Sequence, residues 1–72
     1  MKLTDDLIRI ASAGGGLEIP ASSKMTDDLI RIASAGGRSG ASLRITGAGA
    51  KMTSDLIRIA SAGAGRVTFA FE

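Results

Sequence analysis

The 72-residue chain contains no cysteine, histidine, tryptophan or tyrosine, and asparagine and glutamine are missing as well. Without Cys there is no disulfide framework, no thiolate nucleophile and no basis for assigning a redox compartment. Without Cys and His the usual zinc ligands are gone, and so is the side chain that most readily serves as a general base near neutral pH. An ordinary chain of this length would hold about ten residues of these six types, so the alphabet is restricted. Phenylalanine occurs twice, which leaves little aromatic surface for stacking on bases. Nine basic against seven acidic residues give a net charge of +2, a weak field beside that of a dedicated nucleic-acid binder. No apolar run approaches the ~20 residues of a membrane span, and the start MKLTDDLIRI sets two carboxylates ahead of its apolar residues, unlike a signal peptide. A soluble chain, cytoplasmic or recombinant, is the expectation. At this length the chain makes one domain at most, of marginal stability.

What the chain does hold is repetition. TDDLIRIASAGG spans residues 4 to 15 and again 26 to 37, and TSDLIRIASAGA spans 53 to 64. Aligned on Lys2, Lys24 and Lys51, the copies are offset by 22 and 27 residues, within the range of stacked repeat architectures. The units are 1–23, 24–50 and 51–72. Thr4, Thr26 and Thr53 are placed to be helix N-caps, followed by acidic residues in the first turn. Gly14, Gly36 and Gly63 stand where a helix ends in the left-handed conformation. Leu3 with Ile8, Met25 with Ile30 and Met52 with Ile57 have the spacing of a hydrophobic staple. Each unit is thus expected to open with a helix of about nine residues. Leu7, Ile10 and Ala11, widened by Ile8, form an apolar stripe that must pack against something. Asp5–Arg9 and Asp27–Arg31 have the favourable acid-first spacing on a solvated face, which Ser54 breaks in the third copy.

Each helix is followed by a segment with apolar residues at alternate positions: LEI at 17–19, LRIT at 43–46 and VTFAF at 67–71. The order αβαβαβ predicts an α/β fold, a small parallel three-stranded sheet with the helices on one face. Its core face would carry Leu17, Ile19, Leu43, Ile45, Val67, Phe69 and Phe71, and its bare face Glu18, Arg44 and Thr68. Pro20 favours an outer position for the first strand. GGRSGAS, residues 36–42, is an insertion relative to the other helix-to-strand connections and reads as a flexible linker. One helix and one strand cannot bury their own apolar faces, so stacked copies share a core. This pattern resembles the short solenoids of leucine-rich and other α/β repeat proteins. The leucine-rich consensus with its Asn ladder is missing, so the resemblance extends to architecture over most of the chain and carries over no functional residue. The faithful copies and reduced alphabet resemble those of a designed or consensus-built protein.

Little catalytic chemistry is offered. Ser12, Ser34 and Ser61 recur at equivalent positions with no His to activate them, so no enzyme activity and no cofactor are expected. TGAGAK, residues 46–51, runs from a strand through glycines to a helix start, placing Gly47, Gly49, Lys51, Thr53 and Ser54 as anion-site candidates. It lacks the G-x-x-x-x-G-K-[ST] spacing, and Asp55 in the first turn repels an anion. A repeat-type module that binds an anionic ligand or acidic partner through the Gly-rich loops and helix N-termini is the alternative reading; nucleic-acid and small-molecule partners are not expected. The stronger expectation is a homo-oligomer, with a dimer favoured, formed through the open edge of the last strand, Val67, Thr68, Phe69, Ala70 and Phe71, with face-to-face packing of the bare sheet faces as the other route. Proline at Thr68 is expected to remove an edge N–H donor.

Overall fold

A computed structural model describes residues 2–72. The apolar stripes form helices and the alternating segments form strands, in the order α1 (Thr4–Ser12), β1 (Leu17–Pro20), α2 (Thr26–Ser39), β2 (Leu43–Thr46), α3 (Thr53–Ala62) and β3 (Val67–Phe69). Short 3-10 turns at Ala21–Ser23 and Ala48–Ala50 lead from β1 and β2 towards the next helices. The strands pair in parallel in the order β1-β2-β3, as expected when a helix separates consecutive strands. Leu17, Leu43 and Val67 share one row, Glu18, Arg44 and Thr68 the next, and Ile19, Ile45 and Phe69 the third.

Because side chains alternate across a strand, this register puts the apolar rows on one face. Ile19, Leu43 and Ile45 are buried there with Leu7, Leu29, Ile32, Leu56 and Ile59 from the helices. On the other face Glu18, Arg44 and Thr68 are exposed, and Arg44 Nε lies 3.3 Å from Glu18 Oε1. The middle helix is the most enclosed, with Leu29, Ile32, Ala33, Ala35 and Gly36 buried. In α1 only Leu7 and Ala11 are buried, and in α3 only Leu56 and Ile59. A helix with neighbours on both sides has two faces to bury, which is the signature of a stack.

Several local expectations are corrected. The N-cap positions belong to Leu3, Met25 and Met52, whose backbones are extended and whose side chains make no cap bond. Their carbonyls accept from the Leu7, Leu29 and Leu56 N–H groups, so each Thr is the first helical residue and no longer caps. Leu3, Met25 and Met52 are 73%, 74% and 70% exposed, so the staple positions lie largely in solvent. GGRSGAS is no flexible linker: α2 continues through Gly36 and Gly37 to Ser39 and is closed by Gly40 at φ 85°. Ser39 Oγ donates to the Ala11 carbonyl, tying that last turn to the end of α1. Gly14 is left-handed as expected, whereas α3 ends on right-handed Gly63 and the reversal falls on Ala64 and Gly65, at φ 51° and 83°. Phe71 lies beyond β3 and is 65% exposed instead of in the core.

Candidate functional site

Two places were singled out by sequence, the Gly-rich loop and the last strand's edge. The loop sits between β2 and α3, with Gly47 left-handed at φ 62°. An anion cradle needs backbone N–H groups that point into solvent together. Here the Gly47 N–H donates to the Glu72 carbonyl at 3.0 Å and the Ala48 N–H to the Ala70 carbonyl at 2.8 Å. The Ala50 and Lys51 N–H groups turn back on the Gly47 and Ala48 carbonyls. Lys51 Nζ donates to the Lys24 carbonyl at 3.2 Å. Gly47 and Gly49 thus lie against the C-terminal segment, Lys51 reaches back to the preceding repeat, and Thr53 and Ser54 stand exposed on the first turn of α3. What this arrangement does is fasten residues 70–72 to the loop and one repeat to the next.

The edge is set by the β2–β3 ladder. The Leu43 N–H donates to the Arg66 carbonyl and the Ala70 N–H to the Ile45 carbonyl. Arg66 and Ala70 therefore face β2. In a parallel strand both backbone groups of a residue point the same way and alternate along the chain. Thr68 accordingly faces β2 as well, and the N–H and C=O of Val67 and Phe69 face the open side. Proline at Thr68 would break the internal ladder and is not the edge test that the sequence suggested. Val67 and Phe69 are half-buried by the core, and the Phe71 ring lies 6.5 Å from that of Phe69, tilted by 42°. The open edge is thus flanked by an aromatic pair with one ring largely in solvent.

At the opposite edge the Leu17 N–H donates to the Ser42 carbonyl, so Glu18 and Pro20 face outwards. Pro20 has no N–H, and its carbonyl accepts from Ser23 Oγ at 2.7 Å. Of the two edges, β1 is blunted and β3 is not.

Sequence reasoning missed the polar ladders between repeats. Lys24 Nζ donates to the Lys2 carbonyl at 2.9 Å, as Lys51 does to Lys24. Arg31 lies 3.4 Å from Asp5 and Arg58 3.5 Å from Asp27, each reaching to the preceding helix. The same guanidinium groups lie 3.6 Å from Asp28 and 3.7 Å from Asp55 within their own helices. The expected Asp5–Arg9 and Asp27–Arg31 contacts are replaced by these cross-repeat ones. The cross-repeat pairs are exposed on both sides, while Asp28 and Asp55 are half-buried; each exposed pair is worth about 0–1 kcal/mol, and their use is to fix register. The signal was the recurrence of Lys, Asp and Arg at equivalent positions, since equivalent side chains in a stack become neighbours. Among the described residues, no helix is long and apolar enough to cross a membrane. Comparison with protein-family models, with curated proteins and with solved structures finds no match.

Proposed function

We propose that this chain is a structural repeat protein, designed or consensus-built, whose activity is to fold as a stack and associate with further copies of itself. The observation that carries the reading is the β3 edge, where Val67 and Phe69 leave backbone donors and acceptors unpaired beside the exposed Phe71 ring. Unpaired strand groups are a template for another strand, and a small domain gains most from covering its surface. The near-identical units support the origin we assign, since one solution to burying a helix and a strand is used three times. On this reading residues 67–71 form the contact, a homodimer is the smallest product, and the chain carries no catalysis, cofactor or nucleic-acid role.

The test is Val67→Pro. It removes an outward N–H at the first strand position, where proline is tolerated, and leaves the β2–β3 ladder intact. Light scattering should show weaker association with an unchanged far-UV circular dichroism spectrum. A folded Val67→Pro protein that associates as strongly as the parent would overturn the edge as the contact.

A further inference from the structure

Every internal joint of the stack is made by one strip of side chains. At α2 the strip is Lys24, two residues before the helix, with Arg31, Ile32 and Ala35 on it: Lys24 donates to the Lys2 carbonyl, Arg31 reaches Asp5, and Ile32 and Ala35 are each 1% exposed. On α3 the same positions are Lys51, Arg58, Ile59 and Ala62. There Lys51 donates to the Lys24 carbonyl, Arg58 reaches Asp27, and Ile59 is 0% exposed. On α1 the equivalent residues are Lys2, Arg9, Ile10 and Ala13, which line an open groove of about 430 Å³ together with Asp6. Ile10 is 36% exposed, and Arg9 has no carboxylate partner among the described residues. The segment DLIRIAS is identical in all three units, and among the described residues no helix packs against this side of α1. The groove is half of a joint.

The other half lies at the far end. The groups that receive the strip are the Lys2 carbonyl and Asp5 on α1, and the Lys24 carbonyl and Asp27 on α2. On α3 these positions are the Lys51 carbonyl and Ser54. The neighbouring apolar position tells the same story: Ile8 and Ile30 are half-buried, whereas Ile57 is 60% exposed.

We infer that the groove on α1 takes the exposed face of α3 from a second copy, so that chains stack head to tail in the way repeats stack within one chain. This rests on the self-association reading above and specifies its geometry. The ends match in chemistry: the Lys2 ammonium and Arg9 guanidinium meet a carbonyl and a hydroxyl, Ile10 meets an apolar face containing Ile57, and the open groups of β3 meet the Glu18 side of β1. Two residues make this joint weaker than the internal ones. Ser54 offers Arg9 a hydroxyl where Asp5 and Asp27 offer carboxylates, and Pro20 leaves the Phe69 carbonyl without a donor. Such a contact joins unlike surfaces and does not close on itself, so it yields open stacks as concentration rises.

Two blocked variants test this, because a head-to-tail joint needs one intact end from each partner. Ile10→Glu spoils the groove and Ile57→Glu the opposite face; both residues are exposed, and circular dichroism checks that each variant folds. Each alone should sediment at the 7.3 kDa chain mass, and an equimolar mixture should give a 1:1 complex and nothing larger. Variants that each associate alone as the parent does would overturn the head-to-tail joint while leaving self-association standing; a parent that never associates would overturn both. Ser54→Asp adds a gain that misfolding cannot mimic. It restores the carboxylate and should lower the concentration for assembly by about two- to fivefold, the scale of an exposed ion pair. No change in Ser54→Asp would also count against the joint.

Discussion

Ile10, Ile32 and Ile59 occupy the same place in the same local sequence, DLIRIAS, yet they are 36%, 1% and 0% exposed. Replacing each with Ala is therefore a test in which the local sequence is matched and the chief difference is the neighbouring repeat. The change deletes three carbon atoms, worth about 2.4 kcal/mol of transfer free energy at about 0.8 per buried methylene. At Ile32 and Ile59 a cavity term adds to this, for a total of about 3–4 kcal/mol. At Ile10 about a third of the side chain is already wet and the space left opens to solvent, so the cost should be about 1–1.5 kcal/mol. With no Trp or Tyr to report by fluorescence, urea unfolding is followed by far-UV circular dichroism. At a slope of about 1 kcal/mol per molar urea, the midpoint of Ile10→Ala should exceed those of the other two by about 2 M. The measurement belongs at high dilution, because a second copy covering Ile10 would raise its cost. Equal costs at all three positions in dilute solution would refute nearest-neighbour stacking as the source of the buried core.

Other outcomes follow from the same geometry. Ala64 holds φ at 51°, a conformation unfavourable for a residue with a Cβ, so Ala64→Gly should stabilise by about 0.5–1 kcal/mol, read as a rise in Tm of a few degrees. Gly63→Ala should do the reverse, by about 1–3 kcal/mol, because the new Cβ would run into Val67 Cγ2 in a half-buried, χ1-restricted side chain; an unchanged Tm would contradict the packing described. Removing residues 51–72 strips α3 and β3 from α2 and β2 and should leave residues 1–50 without a cooperative thermal transition, whereas undiminished stability of that fragment would show that the units share no core.

The architecture was legible because it rests on periods. Alternation in LEI, LRIT and VTF and the 3–4 spacing in the helices survive any change of context, and the strand order brought Glu18 beside Arg44 as the register required. The ends of the helices were not legible. The twelve residues TDDLIRIASAGG form a helix over Thr4–Ser12 in one copy and contribute to a helix over Thr26–Ser39 in the next. In the first copy only Gly16 separates the segment from its strand, so the chain must reverse at Gly14. In the second, residues 38–42 provide enough length for another turn, which is closed by Gly40 and anchored by Ser39. No local signal within the twelve could have revealed that. The contact of Lys51 was not legible for a related reason: before a helix it resembles a phosphate ligand, and only the presence of Lys24 one repeat away supplies the carbonyl that its Nζ reaches.

The central claim, that the stack is built with ends open to further copies, is tested most directly by sedimentation equilibrium of the unmodified chain from low to high micromolar concentration. The account predicts a mass that starts at the 7.3 kDa of one chain and climbs with concentration. A constant 7.3 kDa throughout would contradict it.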